Sequence, residues 1–308
     1  MRSLLFGISL ALVCSMMISP AALASGEAGK QEAPKPAIVL ASFGSTVKEA
    51  RDVEAAFVRE TEKRYPGIRV VLANTARIVM RKNAKEGIHT PSLYRALADL
   101  ADEGYTHVAV QSLQLIPGAE FEGVAAVAKA QENLPKGLAA VSVGASLLAS
   151  NEDCERAAGA LIASLPKERK ASEPAIFVGH GTHHGIGGVL YPALQWHVAR
   201  RDPKVFISTI EGTPSQEDTL KALGKPDAKK GAKKAAVWLA PLLGLAGDHA
   251  VNDLYGDEDG SWKSVLTKDG WQVKESFAPL YGIPGIREIW FAHLDAALAE
   301  LGVAPAKK

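Results

Sequence analysis

Short, unbroken apolar runs recur along this chain, and nearly every one is followed by an amphipathic stretch. The first half reads AIVLASF (37–43), RVVLAN (69–74), HVAVQSLQLI (107–116) and AAVSVGASLL (139–148), with helical patterns over 47–65, 92–104 and 121–134 between them. A strand wetted on one face alternates apolar and polar residues, whereas continuous apolar strands must be covered on both faces. The pattern therefore predicts an α/β protein with mainly parallel sheets flanked by helices.

The pattern then stops and restarts. Residues 166–174, PKERKASEP, form a charged, proline-flanked break suited to a linker. Beyond it come AIFVGHG (175–181), KVFISTIEG (204–212) and AAVWLAPLLGL (235–245), with helices expected around VLYPALQWHVARR and SQEDTLKALG and a last one near 285–301. Pro36-Ala37-Ile38 reappears as Pro174-Ala175-Ile176, and SFGS (42–45) falls within one residue of GHGT (179–182). QSLQLIPGAE (111–120) lies on APLLGLAGDH (240–249) without a gap, matching Gly118 with Gly247 and Glu120 with His249. The expected organisation is two similar α/β domains, 37–165 and 175–308, with the last helix free to pack back on the first. Loops at the carboxyl ends of their strands would line a cleft between them.

The first 24 residues stand apart from this scheme. Arg2 precedes LLFGISLALVCSMMI, and Ala22-Leu23-Ala24 supplies the small-x-small pattern of a signal-peptidase site. Export to the periplasm with cleavage after Ala24 is expected, and residues 25–36 read as a flexible leader. The apolar run is shorter than the ~20 residues that span a bilayer, so stable membrane insertion is not expected. Cleavage would leave Cys154 alone, without an internal disulfide partner. A formal net charge of +1 gives no global field for nucleic acid. Oligomeric state, including a homo-oligomer, is open.

Chemistry concentrates in VGHGTHHGIGG (178–188), three histidines and five glycines directly after an apolar run. A dinucleotide fingerprint fails here, because counting from Gly179 puts His184 where the last glycine belongs. No Walker sequence follows any strand, so no nucleotide is expected. His180 stands at a strand tip, His249 in AGDHAVND stands at another, and Glu120 in PGAEFE holds the matching place in the first half. Two imidazoles and a carboxylate suit an open site for a first-row divalent cation. No HExxH, paired cysteines or GxSxG elbow is present.

Together VLASFGST, VAVQSLQLIPGAEFE, VGHGTHH and LAPLLGLAGDHAVNDLYGDEDGSWK resemble the anaerobic cobalt chelatases of the CbiK type over nearly the whole mature chain. The resemblance implies a chelatase fold with a central cleft, and ATP-independent insertion of a divalent metal, cobalt first and ferrous iron second, into a sirohydrochlorin-type tetrapyrrole. It implies that Glu120, His180 and His249 bind the metal; His183 and His184 are not ligands in that pattern and at most line the site or stand behind it. The export signal departs from the usual cytoplasmic location of such enzymes.

The tetrapyrrole partner carries many carboxylates, so Arg77, Arg81 and Lys82 in ARIVMRKN are candidates to orient it, with Ser42 and Glu211 at strand ends as further substrate-binding candidates. His89, His107, His197 and His293 read as surface or packing residues. An exported carrier that binds metal or tetrapyrrole without catalysis is the alternative reading.

Overall fold

The computed structural model describes residues 34–183, 185–226, 234–245, 247–276 and 278–304, with the side chains of residues 248–251 left out of that description. The expected signal peptide, most of the leader, His184 and most of the basic run around Lys225–Lys234 lie outside the described residues.

Among the described residues, two all-parallel, four-stranded sheets carry the fold. The first holds β1 (Pro36–Ser42), β2 (Arg69–Asn74), β3 (His107–Ser112) and β4 (Ala140–Gly144), in the spatial order β2-β1-β3-β4. The second holds β5 (Ala175–Gly181), β6 (Val205–Glu211), β7 (Ala236–Pro241) and β8 (Gln272–Glu275), in the order β6-β5-β7-β8. The order is the same in both, so the repeat in the sequence is a repeat of topology. In each sheet the path reverses between the first and third strands, β1 with β3 and β5 with β7, which is where loops at the carboxyl ends open a crevice.

The helices are α1 (Lys48–Arg64), α2 (Arg77–Lys85), α3 (Leu93–Asp102), α4 (Ala119–Lys129), α5 (Asn151–Ser164), α6 (Leu190–Arg201), α7 (Gln216–Leu223), α8 (Asp248–Tyr255), α9 (Trp262–Lys268) and α10 (Pro284–Glu300). Serine side chains start several of them. Ser92 accepts from the Arg95 amide ahead of α3, Ser150 from the Asp153 amide ahead of α5, and Ser215 builds a reciprocal box with Asp218 ahead of α7.

Successive strand residues face opposite ways, and both directions are dry. Ala37, Val39 and Ala41 of β1 pack with α3 and α4, while Ile38 and Leu40 enter a second core. That second core also takes Ala175 and Phe177 of β5, so it is shared by both sheets. Ile176 and Val178 face a third core under α8 and α9. This double coverage is why the strands read as unbroken apolar runs.

α10 completes the shared core from the far end of the chain. Its Ile286, Ile289, Trp290, Phe291, Leu294 and Leu298 are buried, and it packs on β3, β4 and α5. Truncating one such leucine to alanine costs about 2–5 kcal/mol. The 166–174 segment is tied to the second sheet's side, where Arg169 bonds Asp202 at 2.9 Å and Glu173 accepts from Trp238 Nε1 at 2.7 Å. No helix of the described residues is long and apolar enough to cross a membrane.

Candidate functional site

The gapless match between the halves holds residue by residue in the structure. β3 ends at Ser112 and β7 at Pro241, Gly118 and Gly247 are the N-caps of α4 and α8, and those helices start at Ala119 and Asp248. Glu120 and His249 are thus both the second residue of a helix that follows the third strand of its sheet. The His249 side chain lies outside the described residues.

His180 is exposed near the tip of β5, between two buried glycines. Each glycine has a steric cause. A β-carbon at Gly179 would stand 2.8 Å from the Tyr191 ring. Gly181 has φ +85°, and a β-carbon there would fall 1.7 Å from the Glu211 carbonyl oxygen. The Gly181 amide donates to the Tyr191 hydroxyl at 3.3 Å. Burial pushes the Tyr191 phenol up to about 12, so it stays protonated at neutral pH. The Gly-His-Gly sequence is therefore what lets β5 run close over Tyr191 and beside β6 while presenting one imidazole outward.

Glu211 ends β6 in register with Gly181 and is exposed, at the same carboxyl end of the second sheet as His180. Glu120 is exposed on the other half, where Thr75 Oγ1 donates to its carboxylate at 3.4 Å. A surface cavity of about 240 Å³ lies beside it, lined by Asn74, Arg77 and Tyr94 among others. Among the described residues, no three His, Cys, Asp or Glu side chains converge as a metal-binding group. Glu120, His180 and Glu211 are not such a set by themselves.

Loops from the two halves meet around these residues. A β-carbon at Gly187, in the turn after β5, would lie 3.1 Å from Ile116 and 3.2 Å from the Pro117 carbonyl, in the loop that leads to Glu120. One at Gly247 would lie 3.7 Å from Ser45 Oγ, in the loop after β1. Large apolar side chains are exposed in the same strand-end loops, among them Phe43 after β1, Ile186 and Val189 after β5, and Ile210 on β6. Ile186 is 73% exposed.

The other sequence candidates divide by exposure. Arg81 and Lys82 are exposed on α2, whose first residue is Arg77. Ser42 is fully buried; its Oγ accepts from the Gly44 amide at 3.1 Å and lies 3.3 Å from the Tyr281 hydroxyl. His183 is exposed, and His184 is outside the described residues. His197 bonds Asn151 at 2.9 Å and His293 bonds Asp153 at 3.2 Å, both in helix packing. Tyr191 and Tyr281, which hold the loops from below, carry no motif that marks them in the sequence; only their position under glycines does.

The described fold is that of known tetrapyrrole-chelatase structures. SirB from Bacillus subtilis with Fe3+ superposes with a TM-score of 0.61 at 16% identity, covering 87% of this chain and 98% of that one. The sirohydrochlorin chelatase SirB of Bacillus subtilis subspecies spizizenii in complex with cobalt gives 0.58 at 14% identity, covering 87% and 97%. In sequence, the chain is 39% identical to Sirohydrochlorin cobaltochelatase CbiKC of Nitratidesulfovibrio vulgaris, over 87% of this chain and 92% of that protein. It is 29% identical to the Sirohydrochlorin cobaltochelatase of Salmonella typhimurium, over 86% and 97%. The cobalt chelatase (CbiK) family profile matches residues 36–299, and the chain belongs to that family.

Proposed function

We propose that this protein inserts a divalent metal, cobalt first and ferrous iron second, into sirohydrochlorin without ATP. The observation that carries this reading is the placement of Glu120 and His249 at equivalent helix starts, with His180 at the tip of β5 and the loops of the two halves in contact. Family membership and the sirohydrochlorin cobaltochelatase relatives support it.

Insertion exchanges two pyrrolic protons for one divalent cation, so two protons leave for every metal that enters. A neutral imidazole can hold the incoming ion or accept such a proton. His180 and His249 take those roles, and Glu120 completes the metal perch and offsets its charge. Glu211, set beside Gly181 by the strand register, is the second carboxylate within this scheme and a substrate-binding candidate. The perch must stay incomplete enough to release the ion to the macrocycle. Exposed Phe43, Ile186, Val189 and Ile210 offer apolar surface to a flat ring, and Arg81 and Lys82, exposed on α2, are the candidates to pair with its carboxylates. Export to the periplasm, proposed from residues 1–24, places this chemistry outside the cytoplasm.

The test mixes the purified mature protein with metal-free sirohydrochlorin and cobalt, without ATP, and follows the absorbance change against the uncatalysed rate. Acceleration is expected. Tight binding of metal or tetrapyrrole without acceleration would replace the enzyme with a carrier.

A further inference from the structure

Tyr281 lies in a single helical turn, Leu280–Gly282, far along the chain from the residues considered above, yet it touches three strand-end loops at once. Its hydroxyl donates to the Leu113 carbonyl at 3.2 Å, just past β3, and lies 3.3 Å from Ser42 Oγ at the end of β1. With the phenol proton given to Leu113, the phenol oxygen and the Glu54 carboxyl compete for the single Ser42 proton. The ring underlies Gly244 in the loop after β7, where a β-carbon would meet it at 2.6 Å. Two backbone bonds fasten the same turn to that loop, Leu280 N to Leu243 O at 2.9 Å and Tyr281 N to Gly244 O at 3.2 Å.

The far side of the ring is held by the shared core. Phe57 of α1 packs edge-on at 5.9 Å between centroids, and Trp290 of α10 at 5.3 Å. Tyr281 is 2% exposed. Burial holds its phenol well above the usual tyrosine value, so the donor is always present. Three residues past Gly244 stands Gly247, the N-cap of α8, with its own approach to Ser45 in the β1 loop. The start of α8, and the backbone of His249 with it, is thus set against the first sheet through Tyr281.

We propose that Tyr281 is a positioning residue for metal insertion: it fixes the loop between β7 and α8 against the ends of β1 and β3, and so sets the distance between the His249 position and the first half of the site. It does not touch metal or substrate. The proposal rests on the reading of His249 as a metal-binding residue. Partners hydrogen-bonded directly to metal ligands typically carry about 10–100-fold of metal affinity, and Tyr281, which acts through the loop before His249, is expected at the low end of that range.

The experiment measures cobalt binding by calorimetry, without tetrapyrrole, and peptide hydrogen exchange over residues 242–255, for Tyr281→Phe, Ser42→Ala, His249→Ala and Leu97→Ala. Leu97 is buried on the other face of the first sheet, and its truncation reports loss of stability alone. Tyr281→Phe is expected to weaken cobalt binding about tenfold and to speed exchange in the 242–255 peptide, with Leu97→Ala leaving both unchanged despite an equal or larger fall in Tm. Ser42→Ala, which removes one of the two hydroxyl bonds, should move both readouts in the same direction by less, and it decides the matter if Tyr281→Phe does not fold. Wild-type cobalt affinity in Tyr281→Phe, with His249→Ala impaired, overturns the inference. Wild-type affinity in His249→Ala overturns the metal reading instead, and unchanged 242–255 exchange in Tyr281→Phe overturns the positioning role by itself.

Discussion

Gly181→Ala and Gly185→Ala place the same methyl group on two glycines of one loop, both with positive φ, at +85° and +69°. A backbone conformation reserved for glycine costs an ordinary residue on the order of 1–3 kcal/mol, and at Gly185, with φ 69° and ψ −175°, that is the whole penalty, because nothing lies within 4 Å of the new carbon. At Gly181 the carbon would stand 1.7 Å from the Glu211 carbonyl oxygen. An ordinary carbon–oxygen approach is about 3.3 Å, so the end of β6 must retreat by roughly 1.5 Å. That movement breaks the β5–β6 ladder at its tip and unpairs backbone groups at about 1–3 kcal/mol. The expected losses are therefore about 2 kcal/mol for Gly185→Ala and about 4 kcal/mol for Gly181→Ala. Urea unfolding with a shared m-value measures both. Because Gly181 follows His180 directly and pairs with Glu211 at the end of β6, insertion should also collapse in Gly181→Ala below the melting range and persist in Gly185→Ala. A difference under about 1 kcal/mol between the two variants would refute the close-approach argument.

Glu54 is buried, with Oε1 lacking a hydrogen-bond partner among the described residues, and burial raises its pKa against the opposing pull of Ser42, Asn74 and Arg51. A raised folded-state pKa gives stability that is present in acid and lost as pH climbs past the unfolded value through the folded one. Glu54→Gln should therefore gain in Tm over the wild type as pH rises from about 4 to about 8, and a constant difference across that range would contradict this. Glu120→Gln should lose cobalt affinity in calorimetry without tetrapyrrole, while Glu211→Gln should alter only the KM for sirohydrochlorin; unchanged cobalt affinity in Glu120→Gln would remove Glu120 from the metal perch. Arg81→Ala with Lys82→Ala should flatten the salt dependence of that KM, and an unchanged salt slope would remove them from substrate binding.

The sequence reports burial and local turn chemistry, and the fold was legible wherever those two decide it. Seven strands stand out because both faces are dry, as Ile38 and Val39 of β1 show by entering different cores. β8 does not stand out, because Gln272–Glu275 is a short polar segment at a sheet edge that only its pairing with β7 defines. α5 carries a clear serine cap at Ser150, but its Ala-rich face continues the apolar run before it and blurs the boundary. For the site, strand-tip position and the repeat bring out His180, His249 and Glu120. The sheet register that sets Glu211 against Gly181 leaves no trace in the sequence. Nor do Tyr191 and Tyr281, whose roles arise from rings packed beneath glycines distant in the chain or across a loop. Ser42 looks like a free strand-end hydroxyl in the sequence, and the fold buries it in a hydrogen-bonded seam.

The central claim is that His180 and His249 together carry metal into the macrocycle. A single-turnover assay with cobalt and metal-free sirohydrochlorin, run on the wild type and on His180→Ala with His249→Ala, tests it most directly. The double variant should fold, bind tetrapyrrole and insert cobalt no faster than the uncatalysed reaction. Insertion at the wild-type rate by that variant would contradict the account.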